Sequence, residues 1–92
     1  MITALDAAGI VLGEIAAHWG RGTLTVAAVY EDATHYAVAY GNAEYIHGDD
    51  PRFMILDLPL GFVDKATGEL AFGPYLRNEQ RVDAMRAIHA TH

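Results

Sequence analysis

Five histidines are the side chains of this chain best suited to bind a metal or transfer a proton: His18, His35, His47, His89 and His92. A zinc site needs three or four ligands that converge from a rigid frame. His89 and His92 are three residues apart and can share a helix face, but they occupy the last turn of the chain, which usually frays. A cation there also suits the negative end of a helix dipole. We therefore predict no metal site and no cofactor.

The chain contains neither serine nor cysteine, so the two commonest catalytic nucleophiles are absent. His35 follows two acidic residues and could act as a base, with Thr34 or Thr25 as the nucleophile. Neither threonine has the N-terminal position that activates this residue type. The adjacent acids Asp49 and Asp50 lie in a loop and do not face each other as glycoside hydrolysis requires. The sequence thus predicts a protein that is not an enzyme.

Tyrosines form the most distinctive set, at positions 30, 36, 40, 45 and 75. Tyr36 and Tyr40 alternate along a predicted strand and share one face. Aromatic side chains on a sheet usually fill its core. The alternative is a small pocket between a helix and the sheet, lined by His35, Tyr36 and Tyr40, which would make the protein a ligand-binding or enzymatic domain.

Negative charge is concentrated in the middle of the chain. The net charge is −6, and residues 31–64 alone contribute −6, with Arg52 as their single basic residue. Such a surface repels phosphate backbones and suits a basic protein partner. It could also serve only to keep the protein soluble. We predict that partner binding uses Glu44, Tyr45, Asp49, Asp50 and Asp57, and that nucleic acid is not a ligand.

A helix is predicted at the N-terminal end, capped by Thr3 with Asp6 three residues later. Its apolar face is predicted from spacings of three and four residues, and comprises Leu5, Ala8, Leu12, Ile15 and Trp19. Gly9 and Gly13 would allow close approach to a sheet, and Gly20 would end the helix.

Alternating apolar residues predict strands over 23–30 and 35–40, joined as a hairpin. Leu24, Val26, Ala28 and Tyr30 should share one face of the first strand. Gly41-Asn42 would form a turn or bulge before a third short strand at 43–47. Residues 53–60 are ambiguous between strand, helix and irregular structure, and we favour an irregular apolar segment that leads into a strand.

A second hairpin follows, in which Asp64, Thr67 and Gly68 shape the loop between two strands. Asn78 is a candidate cap for a final helix whose face would carry Val82, Met85 and Ile88. The chain, residues 1–92, is therefore predicted to be a single α+β domain: an antiparallel sheet of three to five strands with an N-terminal and a C-terminal helix packed on it. It has no apolar run long enough to span a membrane and no signal peptide, so a cytoplasmic location is expected.

The second hairpin also carries a family resemblance. Residues 62–70 read FVDKATGEL, and the chain resembles small bacterial YrhB-type immunity domains, which have a strand-turn-strand of the form apolar-Val-Asp-x-x-Thr-Gly-Glu-apolar. The matching positions are Phe62, Val63, Asp64, Thr67, Gly68, Glu69 and Leu70. The resemblance implies a non-enzymatic protein that neutralises a co-encoded toxin by direct binding, with no catalytic residues.

Three hypotheses for function follow. The first is an immunity-type binding protein whose acidic loop meets a basic toxin surface. The second is the small ligand-binding or enzymatic domain with a tyrosine-lined pocket. The third is a phage-type structural or oligomerisation module, in which residues 53–58, FMILDL, would be a strip for self-association.

Overall fold

The computed structural model describes residues 1–55 and 58–88. Its elements in chain order are α1 (Ala4–Ala16), β1 (Leu24–Glu31), β2 (His35–Asn42), α2 (Ala43–Ile46), a 3₁₀ turn (Pro51–Phe53), β3 (Leu60–Asp64), β4 (Leu70–Gly73), α3 (Tyr75–Ala84) and β5 (Arg86–Ile88). The five strands form one antiparallel sheet in the order β4-β3-β2-β1-β5. The predicted α+β class, an antiparallel sheet with an N-terminal and a C-terminal helix, is confirmed.

Helix α1 begins with the predicted capping box: the Thr3 hydroxyl accepts from the Asp6 N–H, and the Asp6 carboxylate accepts from the Thr3 N–H. Its buried centre is Ala7 and Val11. The predicted apolar face was wrong at Leu5, which is 83% exposed. The centre of the buried face of α1 has small side chains because the helix lies close to the sheet. Apart from Leu5, the larger apolar side chains of the helix lie on either side of this centre and are partly buried.

The close approach comes from the sheet and not from the helix glycines. A Cβ atom on Gly61 of β3 would meet the Val11 side chain, whereas Gly9 and Gly13 have nothing within 4 Å and face solvent. The prediction for those two glycines was wrong. The helix also ends at Ala16, before Gly20, and the positive φ of the following turn belongs to Gly22.

The two faces of the sheet carry different cores. Tyr36, Val38 and Tyr40 of β2 face α1, as their alternation predicted, and Ala37 faces the other side. In β1 the register shifts between Val26 and Ala28, which is a β-bulge. Val26 and Val29 therefore both face α1, while Tyr30 packs on the opposite face with Ala37. The single face predicted for β1 was wrong for this reason.

Helix α3 covers the second face through Val82, and Met85, just beyond the helix, packs beside it against Leu60 and Phe62. The helix begins at Tyr75, before the predicted cap, and it ends at Ala84, before the end of the predicted face, because the chain forms β5 and pairs with β1 from Arg86 onward. Ile88 thus lies on a strand and packs on the α1 side. Asn78 lies inside α3, where its amide donates to the Pro74 carbonyl (2.8 Å), so it is not the cap.

The second hairpin has the predicted loop chemistry. The Asp64 carboxylate accepts from the N–H groups of Ala66 (2.8 Å) and Thr67 (3.1 Å), and Gly68 has a φ of 76°. The Thr67 hydroxyl accepts from the Glu69 N–H (3.2 Å). These contacts give the loop residues of FVDKATGEL a structural role.

Between the hairpins, Gly41 and Asn42 extend β2, and residues 43–46 form helix α2 instead of the predicted third strand. Residues 54, 55, 58 and 59 have neither helix nor strand, in agreement with the irregular segment predicted there. Leu56 and Asp57 lie outside the described residues.

Candidate functional site

The predicted partner-binding residues fall on α2 and the turn that follows it, and we call residues 43–55 the α2 surface. Asn42 anchors this segment from beneath. The residue is 3% exposed, and its side-chain amide accepts from the Trp19 indole N–H (2.7 Å) and donates to the Phe53 carbonyl (3.0 Å). The α2 surface is therefore fixed at both ends to the body of the domain.

Glu44 is a structural anchor. Its carboxylate accepts from both the N–H (2.8 Å) and the hydroxyl (2.9 Å) of Thr23. The backbone hydrogen bond from Thr23 is the main reason that the pKa of Glu44 is lowered. Because both carboxylate oxygens are engaged within the fold, this acid holds α2 against the start of β1 and has less capacity for a partner.

Asp50 also has partners within the fold. It accepts from the Arg52 N–H (3.1 Å) at the start of the 3₁₀ turn and forms an ion pair with the Arg52 guanidinium (2.8 Å). The Arg52 side chain is the main cause of the lowered pKa of Asp50. Local positive charge thus offsets part of the acidity that the sequence predicted here.

The side chains of Asp49 and Tyr45 are exposed, unlike the carboxylates of Glu44 and Asp50, which are bound within the fold. Asp49 has a φ of 52°, and its N–H donates to the Tyr45 carbonyl (3.0 Å), which fixes the turn. Its exposed carboxylate makes no hydrogen bond or ion pair with the residues that the structure describes. Tyr45 is 39% exposed. Asp57, the fifth predicted residue, lies outside the described residues.

Two apolar residues of the α2 surface were predicted only as part of the strip for self-association at 53–58, and not as contacts to a basic partner. Met54 and Ile55 are each 44% exposed, directly after the 3₁₀ turn that packs against α2. Large apolar side chains exposed together with a tyrosine are typical of protein-binding surfaces. The surface is therefore mixed in character, with aromatic, apolar and acidic groups.

The structure does not bring together the predicted pocket residues. Tyr36 and Tyr40 are buried under α1, where the Tyr36 hydroxyl donates to the Ile2 carbonyl (3.3 Å) and Trp19 packs edge-on against Tyr40. His35 pairs with Asp64 across the strands, so by alternation it lies on the opposite face of the sheet. A cavity of about 480 Å³ lies elsewhere, and its described lining is Leu58, Pro74, Tyr75 and Leu76.

His35 takes part in a chain of polar contacts at the end of the first hairpin. Its Nδ1 lies 2.7 Å from the Thr34 hydroxyl, and its Nε2 lies 3.9 Å from the Asp64 carboxylate. The threonine hydroxyl is also 3.2 Å from Asp32, whose carboxylate shapes this turn. Asp64 is already bound to its own loop. The arrangement resembles a triad in its residue types, but Asp32 and Asp64 each hold the backbone of their own turn.

The charge state of this turn depends on Asp32. Burial raises the pKa of Asp32, but hydrogen bonds from the Thr34 and His35 N–H groups and from Arg81 outweigh it and lower the pKa to about 2. Arg81 lies 3.3 Å away on α3, so the turn is tied to the C-terminal helix. Within residues 1–55 and 58–88, no three His, Cys, Asp or Glu side chains are grouped so that they could hold a metal ion.

Comparison with protein-family models, with curated proteins and with solved structures finds no match to this chain. In the part of the chain that the structure describes, no helix combines the length and the apolar character needed to cross a membrane. The inference of function therefore rests on the geometry of the α2 surface.

Proposed function

We propose that this protein is a non-enzymatic binding domain that recognises a basic protein partner through the α2 surface. The observation that carries the proposal is the exposed pair Tyr45 and Asp49, held outward by a turn whose other acids are engaged within the fold. An exposed aromatic residue and an available carboxylate on one short, fixed segment are suitable anchors for a cationic surface, because little conformational freedom is lost on binding.

At a finer level, we propose that the domain is an immunity-type protein that acts in the cytoplasm and neutralises a cognate toxin by direct binding. The resemblance of FVDKATGEL to YrhB-type domains supports this, as does the net charge of −6. Toxins that cleave nucleic acids or bind anionic substrates have basic active-site surfaces, and an acidic binding protein can cover such a surface.

The two tyrosines proposed for a pocket serve the core, which favours a binding role over a catalytic one. Tyr36 and Tyr40 are both buried against α1. A ligand between them and the helix would have to displace packed side chains. We therefore prefer binding at the outer surface.

The test begins with capture of the partner from the native cytosol on immobilised wild-type protein, followed by measurement of its binding kinetics. Asp49→Lys and Tyr45→Ala should each weaken binding. Asp49→Lys should act mainly through slower association and a flatter salt dependence. Asp50 is a poor choice for reversal, because it also caps the 3₁₀ turn.

Glu79→Lys is the matched control, since Glu79 is an exposed acid on α3. It makes the same change in net charge away from the α2 surface. If Asp49→Lys and Glu79→Lys slow association equally, only net charge matters and the α2 surface is not the site. The immunity role requires in addition that the captured partner is toxic when expressed in a bacterial host, and that co-expression of this protein removes the toxicity.

A further inference from the structure

Strand β4 is an open edge of the sheet. Within residues 1–55 and 58–88 it pairs with β3 on one side only, with Phe62 opposite Ala71 and Val63 opposite Leu70. Its four residues carry no charge and include no proline, although natural edge strands are often protected by one or the other. Ala71 is exposed and Phe72 is 40% exposed.

The alternation of the antiparallel ladder identifies which backbone groups of β4 are open. The Asp64 N–H donates to the Glu69 carbonyl (2.9 Å), so the hydrogen-bonded positions of β4 are Ala71 and Gly73. The N–H and C=O groups of Leu70 and Phe72 therefore point away from β3. They have no backbone partner among the described residues.

We propose that a second copy of this chain pairs with β4 in antiparallel orientation, with Leu70 of each copy opposite Phe72 of the other. In this register both residues exchange their N–H and C=O hydrogen bonds, and all the open groups are satisfied. The two-fold axis passes between the Ala71 residues of the two copies. One sheet then runs through both subunits.

The side chains fit this register. Antiparallel residues that do not exchange hydrogen bonds approach to about 4.5 Å between Cα atoms, and the residue at that close position on the axis is the small Ala71. Phe72 of each copy lies across from Leu70 of the other on the α1 side of the sheet, since Leu70 packs against that core. Aromatic and aliphatic side chains opposite each other stabilise antiparallel pairs.

Charge complementarity favours a second copy over an unrelated peptide. Glu69 precedes β4 and Arg77 lies just beyond it in the first turn of α3, and both are exposed. Neither forms an ion pair among the described residues. In the proposed register Glu69 of one copy lies opposite Gly73 of the other, so the acid approaches the end of the strand that leads into α3 and its Arg77, twice. Because both copies use the same edge, the assembly closes as a dimer.

Sedimentation velocity over a range of concentrations tests the proposal. The wild type should shift from its monomer mass of 10.0 kDa to twice that mass as concentration rises. Ala71→Lys puts like charges face to face on the axis and should weaken dimerisation by about tenfold or more. Ala71→Glu should do the same, whereas Ala71→Ser, the neutral control, should dimerise like the wild type.

An equimolar mixture of Ala71→Lys and Ala71→Glu gives the sharpest result, because opposite charges then meet on the axis and a heterodimer should form. Hydrogen exchange on the wild type provides a second readout: the amides of Leu70 and Phe72 should be protected only at concentrations that favour the dimer. The amides of Ala71 and Gly73 should be protected at all concentrations. A wild type that stays monomeric at about 1 mM, or a mixture that does not associate, would overturn the proposal.

Discussion

Replacing Gly61 by alanine tests how closely α1 is seated on the sheet. An ideal Cβ atom at this position would lie 2.5 Å from Val11 Cγ2 and 2.9 Å from Cγ1. Val11 is fully buried, and its β-branched side chain has little freedom to rotate within a helix. The added methyl group can therefore be accommodated only if α1 moves away from β3.

The magnitude follows from two opposing effects. Inserting a methyl group into a packed core costs about 1–3 kcal/mol. Alanine also restricts the unfolded chain relative to glycine, which returns about 0.4–1 kcal/mol. We expect Gly61→Ala to lower the free energy of unfolding by about 1–2 kcal/mol, or the melting temperature by about 4–16 °C for a domain of this size.

Urea unfolding followed by the fluorescence of Trp19, the only tryptophan, measures this change. Val11→Ala removes both methyl groups that the new Cβ would meet. The double variant should therefore be more stable than the sum of the two single changes predicts, by about 1 kcal/mol. Gly9→Ala is the matched control, since its Cβ would meet nothing within 4 Å, and it should stabilise the protein by about 0.5–1 kcal/mol. Additive single changes, or a Gly61→Ala variant as stable as the wild type, would refute the reasoning.

Two further predictions concern polar groups. Asn42→Ala leaves the Trp19 indole N–H and the Phe53 carbonyl without their partner, and should cost about 2–4 kcal/mol in urea unfolding; a cost below about 1 kcal/mol would mean that water replaces the amide. Because the folded pKa of Asp32 is lowered to about 2, its ionised form stabilises the folded state above about pH 4, and this contribution is lost as the pH falls from about 4 to 2. Asp32→Asn should therefore lower the melting temperature at pH 7 but hardly at pH 2, and an equal loss at both pH values would exclude this linkage.

The features that the sequence predicted well are those that depend on neighbours along the chain. The capping box of α1 needs only Thr3 and Asp6, and the second hairpin needs only Asp64, Thr67 and Gly68. The contacts that define these features span three or four residues. Their residue types therefore indicate the local structure directly, whatever the rest of the fold.

The errors fall where distant contacts decide the structure. Residues 43–46 form α2 beside the start of β1, where the Ala43 N–H donates to the Thr23 carbonyl (2.7 Å) and Glu44 binds the same threonine. β5 has only three residues and depends on its pairing with β1. The bulge near Val26 cannot be recognised from the spacing of apolar residues in β1.

Whether the predicted partner-binding residues bind a partner stays a prediction, but the structure shows how they differ in chemistry. The sequence proposed Tyr45 and Asp49 through composition and charge, and the structure places both at the surface. It could not distinguish Asp49 from Glu44 and Asp50, because the difference lies in partners that only the fold brings near. For Glu44, that partner is 21 residues away in sequence.

The way the sheet is covered limits where this protein can act. α1 covers one face, while α3 covers the other, where Ile46 of α2 also lies close to Gly41. A ligand site on the first face would require α1 to move away from β3. The helix and the strand are so close at Gly61 and Val11 that there is no room for even one added methyl group. Strong coupling between Gly61→Ala and Val11→Ala would therefore also count against a pocket beneath α1. The two proposed binding surfaces, the α2 surface and the β4 edge, share no residues, so a dimer formed through β4 would present two α2 surfaces to its partners.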